Sequence, residues 1–228
     1  MKKTLILITF AFLISCKGHD KFKTYTTHLV LVDSIVAANK NIDALDSLLS
    51  NYETNRDNVG KMAVMRELGK LHRESSDFKT ALDYHEKALL LAKELRDTAN
   101  IIYILNQLGT DFRRLGVLDE AAVRHYEALS YCGKYSEQSS FEAKKYKVIS
   151  LNGIGNIQLT LRNYDAAEKV FREALAGEQN LESHVGQAIN YANIGYLKEA
   201  TGERDSAWIY YEYSMEQNRL ADSKLGIS

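Results

Sequence analysis

The sequence predicts an all-α chain, an α-solenoid of antiparallel helix pairs, and three observations carry that prediction. The stretch Leu151 to Leu175 reads as two amphipathic helices. Leu151, Ile154, Gly155 and Leu159 share one face, Ala167, Val170, Phe171, Ala174 and Leu175 share another, and Arg162-Asn163-Tyr164-Asp165 forms the turn between them. The same arrangement recurs along the chain at nearly fixed spacing, as expected where no helix pair can bury its apolar face without a neighbour of its own kind. Finally, the 228 residues contain no proline, so nothing obliges a helix to kink or stop.

Composition narrows the function classes. With 45% hydrophobic residues the chain can build a core, and 29 basic against 30 acidic residues leave a formal charge of −1. No global basic field exists to hold nucleic acid. Two cysteines allow one disulfide at most, and the first has another explanation, so no disulfide framework is expected.

Taken in order, Met1-Lys2-Lys3 supplies a positive start and Thr4 to Ile14 an apolar run shorter than the roughly 20 residues that span a bilayer. Leu13-Ile14-Ser15-Cys16 then resembles a bacterial lipobox, which implies that residues 1–15 are a lipoprotein signal peptide and that Cys16 becomes the lipidated first residue. Several acyl chains there would anchor the protein stably, each buried methylene contributing about 0.8 kcal/mol. Lys17 in place of aspartate favours the outer membrane, by resemblance to lipoprotein sorting signals. Residues 16–24 read as a tether. Residues 25–53 read as a helical hairpin, Tyr25 to Ala38 and Ile42 to Asn51, a degenerate repeat or an N-terminal cap.

From residue 57 to 220 the repeat is clean. Leu68-Gly69 is followed by Ala81, His85 and Ala88; Leu108-Gly109 by Ala121, His125 and Ala128; Ile154-Gly155 by Ala167, Phe171 and Ala174; Ile194-Gly195 by Ala207, Tyr211 and Ser214. Small residues let two helix backbones approach, and the aromatic or histidine four positions after the alanine fills the seam. Asp57, Asp97 and Ser183 each precede a repeat glycine by twelve residues, in N-cap register. These columns resemble the tetratricopeptide repeat, which implies a right-handed superhelix. The repeat glycines stand 40, 46 and 40 residues apart rather than the family's 34, and the closing proline is missing; the six extra residues fall around Gly133 to Lys144. Residues 221–228 read as the start of an unfinished fifth repeat, with Asp222 in the capping place. The expectation is a fragment of a longer protein, or a surface left open for a partner.

No catalytic signature is present: neither HExxH, GxSxG nor a phosphate loop occurs, and Gly153-Ile154-Gly155 lacks the strand and third glycine of a dinucleotide fingerprint. No enzyme, cofactor or metal is expected. His72, His85 and His125 read as satisfied core histidines, Cys132 as a buried small hydrophobe, and Tyr84, Tyr126, Tyr210 and Tyr211 as seam packing.

The resemblance implies that the first helix of each pair lines a concave groove. The residues pointing into it are then Arg66, Lys70 and Arg73, followed by Asn106, Thr110 and Arg113, by Asn152 and Asn156, and by Asn193 and Tyr196. Asparagine amides donate and accept, which suits the backbone of an extended peptide, and the arginines favour an acidic residue or a free carboxylate. The leading expectation is a lipid-anchored scaffold of the bacterial cell envelope that binds a peptide or partner protein. The alternatives are the sensor portion of a longer signalling protein, or an accessory lipoprotein of outer-membrane or pilus assembly.

Overall fold

The computed structural model describes residues 24–135 and 140–221. Every element in them is a helix: α1 (24–38), α2 (Ile42–Thr54), α3 (Asn58–Glu74), α4 (Phe78–Leu95), α5 (Thr98–Arg114), α6 (Leu118–Tyr135), α7 (Ser140–Thr160), α8 (Tyr164–Asn180), α9 (His184–Ala200) and α10 (Arg204–Leu220). From α2 onward each packs most closely on its neighbours in sequence. α3, α5, α7 and α9 also touch one another in series, and that is the tetratricopeptide-like solenoid. These four are called the inner helices below. The expected signal peptide, lipidation at Cys16 and nearly all of the tether lie outside the described residues, as does the segment from Asp222 onward.

Local chemistry explains the boundaries. The Asp57 carboxylate accepts from the backbone N–H groups of Val59 and Gly60 at 3.0 Å, Asp97 accepts from Asn100 at 3.0 Å, and the Ser183 hydroxyl accepts from Gly186 at 3.1 Å. The first unpaired donors of α3, α5 and α9 are thereby satisfied, as the twelve-residue register predicts. The missing proline also has a structural counterpart. Among the described residues seven have positive φ, namely Arg56, Ser76, Arg96, Gly116, Arg162, Glu182 and Gly202, and each stands immediately before the N-cap position that opens the next helix. One left-handed residue turns the chain where a proline would otherwise stop it.

The seams follow the column pattern. A Cβ added at Gly155 would come within 2.5 Å of the Phe171 ring, and Gly69, Gly109 and Gly195 meet His85, His125 and Tyr211 in the same way. Ala81, Ala121, Ala167 and Ala207 are all buried opposite. Glycine is therefore required by the ring that lies on it, and the ring by the space that glycine leaves.

The structure corrects several details. α2 runs on to Thr54 rather than stopping at Asn51. The turn after α7 is 161–163, because Tyr164 and Asp165 already belong to α8. The extra residues of the third repeat go partly into α7, which has 21 residues where α3, α5 and α9 have 17. Tyr126 is exposed rather than packed in a seam.

Candidate binding groove

The repeat glycine of each inner helix sets the register of its neighbours. Arg66 lies three residues before Gly69, and it reaches across to the next inner helix. Its guanidinium donates to Asp33 Oδ1 at 2.9 Å and to Asn100 Oδ1, and lies 5.1 Å from the Tyr103 ring centre. Lys70 donates to Glu67 Oε1 at 3.0 Å. Arg73 donates to Asp111 Oδ1 at 3.0 Å and to Gln107 Oε1 at 2.5 Å. Each of these three expected groove cations already has an anionic partner in its own chain.

Asp111 is fully buried, and its second oxygen lies 2.5 Å from His85 Nδ1. The other ring nitrogen of His85 is 3.3 Å from the Arg66 carbonyl oxygen. An arginine, a carboxylate and a histidine thus form a linked network across the first two repeats. A buried charge held by two partners in this way is far less costly than one left alone.

The next repeat keeps the arginine and the histidine and loses the acid. Arg113 and His125 occupy the places of Arg73 and His85, forty residues on. The places of Gln107 and Asp111 fall forty-six residues on, at Gly153 and Ile157, neither of which has a side-chain acceptor. Arg113 is half-buried and has no acidic partner among the described residues. Burial lowers its pKa, and the neighbouring Arg114 lowers it further. His125 is 1% exposed; burial, reinforced by the charge of Arg113, pushes its pKa down to about 4. Its Nδ1 pairs with Asn106 Oδ1 at 2.9 Å, and its Nε2 has no partner. The expected satisfied core histidine is therefore found at His85 and only half realised at His125.

The asparagine ladder is also revised. Asn106 is 2% exposed and serves the His125 ring, so it forms part of the seam and not of the open groove, and its Nδ2 is unpaired. Thr110 donates to the Asn106 carbonyl at 3.0 Å. Asn156 donates its amide to the Asn152 carbonyl at 2.8 Å, one turn back on its own helix. Asn152 Oδ1 and Asn193 Nδ2, on successive inner helices, are shielded from water and unpaired. Tyr196 is exposed. Cys132 is buried as expected, and burial pushes its thiol up to about 11, which leaves little thiolate at neutral pH.

Sequence reading missed Gln107 and Asp111. The signal was available in principle: a charged residue in a helix otherwise apolar on that side, two positions beyond the repeat glycine. No helix among the described residues is long and apolar enough to cross a membrane.

Comparison with known proteins agrees with this architecture. Residues 60–134 match the family model of the tetratricopeptide repeat. No curated protein matches the sequence. Among solved structures, the chain is similar to BtubC (BKLC) from P. vanneervenii, with 23% identity, a TM-score of 0.61, and 84% of this chain covering 74% of that one. It is also similar to a Rap protein complexed with competence and sporulation factor, with 16% identity and a TM-score of 0.68; 81% of this chain matches about half, 49%, of that one. A third similar structure is a putative kinesin light chain from Podosopora anserina with nearly identical TPR-like repeats, at 12% identity, TM-score 0.56 and 88% and 96% coverage. At these identities the likeness is one of fold.

Proposed function

We propose that this chain, a tetratricopeptide-like solenoid built for protein interaction, binds an extended peptide or a segment of a partner protein along the groove lined by α3, α5, α7 and α9, and takes a carboxylate of that ligand at Arg113. One observation carries the reading: Arg113 is the predicted groove cation without an acidic partner among the described residues. The chain holds its own example of the bond. Arg73, at the same place one repeat earlier, is satisfied by the carboxylate of Asp111 at 3.0 Å. A ligand carboxylate would supply to Arg113 what Ile157 cannot. The unpaired amides of Asn152 and Asn193 lie further along, and a rotation of either side chain would offer a donor or an acceptor to a peptide backbone.

The Rap protein among the similar structures is itself complexed with a factor, which supports a binding role for this architecture. The layout of residues 1–16 supports lipid anchoring through Cys16, and with it a place at the bacterial cell envelope, in the outer membrane. Cys16→Ser should then release the protein from the membrane fraction; continued membrane association without acylation would overturn the anchor.

The groove is tested with arrays of extended peptides that differ only in ending as a free carboxylate or an amide. Carboxylate peptides should bind about tenfold more tightly, as expected for a charge-assisted pair. Arg113→Gln should abolish that preference, whereas Lys70→Gln, whose cation is already paired, should leave it intact. Equal binding of both peptide forms, or a preference that survives in Arg113→Gln, would overturn the assignment.

A further inference from the structure

A second surface lies at the opposite end of the inner helices, where α7 and α9 stand apart near their N-termini. The gap is a notch of about 370 Å³. Its walls are Phe141 and Ile149 of α7 and Val185 and Ile189 of α9, with Leu181 beneath. Phe141, Val185 and Ile189 are 58%, 42% and 51% exposed, so three large apolar side chains converge on one opening. Part of the cause is the longer α7, whose added first turn carries Phe141.

The first repeat shows what this surface is complementary to. Val59 and Ala63 stand on α3 where Val185 and Ile189 stand on α9, each pair ten and six residues before its repeat glycine. Both are buried there, in one cluster with Val32 and Val36 of α1. The stripe is therefore one that aliphatic side chains cover elsewhere in the same molecule. The floor differs between the two copies. A Cβ on Gly60 would meet the Tyr52 ring, and a Cβ on Gly186, its counterpart, would meet the Glu178 carboxyl. A tyrosine has been exchanged for an acid inside an otherwise apolar setting.

Glu178 is half-buried and forms no ion pair among the described residues. Burial raises its pKa, and the hydroxyl of Ser183 and the more distant charge of Lys145 only partly oppose that. Lys145 is exposed at the rim and free to hydrate. A carboxylate in such a place gains most from a cation brought in with the apolar group that closes the notch.

We propose that the notch between α7 and α9 is a docking site for a partner segment in which an aliphatic residue stands next to a basic one, the aliphatic side chain seating on Ile149, Val185 and Ile189 and the cation pairing with Glu178. This site is separate from Arg113 and does not depend on the groove reading.

The probe is a pair of short peptides, acetylated and amidated, that differ only in carrying leucine–lysine or leucine–glutamate at their centre. Binding is read from the ¹³C methyl signals of Ile149, Val185 and Ile189 in the full chain. The leucine–lysine peptide should shift these signals and bind about threefold more tightly than its counterpart, as expected for a partly screened ion pair. Glu178→Gln should bring the two peptides together. Lys145→Ala should strengthen the preference, since it removes a competing cation. Ile189→Ser, at an exposed position that does not threaten folding, should abolish the methyl shifts. Four results would overturn the proposal: no shift at these methyls, equal binding of the two peptides, a preference unchanged in Glu178→Gln, or shifts that depend on protein concentration alone and so report a second copy of the chain in the notch.

Discussion

His125 makes the stability of this solenoid depend on pH, and His125→Phe should remove that dependence. The imidazole is buried against Gly109 and Gly153, and its pKa is pushed down to about 4 by burial and by the charge of Arg113. In the unfolded chain it returns to about 6.5. Protonation thus favours the unfolded state. The stability this group contributes is fully present above about pH 6.5 and is lost as pH falls through 6.5 toward 4, reaching about 3 kcal/mol in all. Between pH 7 and pH 5 the loss is about 2 kcal/mol. Phenylalanine is a tested occupant of this column, because Phe171 fills the same place against Gly155. The variant leaves Asn106 Oδ1 without its donor, at a cost of about 1 kcal/mol that does not change with pH. Urea unfolding followed by circular dichroism at pH 7 and pH 5 provides the measurement. Contributions from all other titrating groups are common to both proteins and cancel in the difference between them. The wild type should lose about 2 kcal/mol more than the variant over this interval. Parallel losses would refute the reasoning, since they would mean that the ring is not held neutral by its surroundings.

Three further predictions concern the frame. Phe171→Ala should cost about 3–5 kcal/mol by denaturant unfolding, because the ring is fully buried and Gly155 opposite offers nothing to fill the cavity. Asp111→Asn should destabilise by about 3 kcal/mol or more, since Arg73 and His85 both lose a buried anionic partner; a double variant with Arg73→Gln should recover part of the loss, measured by the same unfolding assay. Asp97→Ala should cost about 1 kcal/mol through the lost cap on α5 and about 1 kcal/mol more through the hydrogen bond its carboxylate accepts from the Tyr25 hydroxyl, with amide exchange fastest in the first turn of that helix.

The columns of small residues and rings were legible in the sequence because each is a local packing rule repeated four times. Leu68-Gly69 with Ala81 and His85 states which backbones approach and what fills the gap, and the structure places them so. The caps at Asp57, Asp97 and Ser183 were legible for the same reason. The groove was less so. Periodicity says which face of an inner helix points away from its partner helix, but not what the following inner helix places over that face. Asn106 fits the groove spacing and yet is withdrawn to serve His125, a residue of the outer helix α6. Arg66 and Arg73 fit it too, and are occupied by Asp33 and Asp111, which lie in other repeats. Only the way one helix sits against another could have revealed this.

That displaced step links the two candidate surfaces. Counting forty-six residues rather than forty sets Gly153 and Ile157 against Arg113, where an even spacing would set Lys147 and Leu151. The same insertion lengthens α7 at its N-terminus and carries Phe141 to the edge of the notch. One change in repeat length thus accompanies, among the described residues, an arginine without an acid at one end of α7 and, at the other, an apolar opening over an acid that has no ion pair. Both features sit where α7 meets its neighbours, and neither is found at α3, where Arg73 has Asp111 and Val59 is covered by α1. A solenoid whose repeats were all alike would offer a uniform groove. Here the two ends of α7 differ, so a segment contacting both would need a carboxylate at one end and an aliphatic–basic pair at the other.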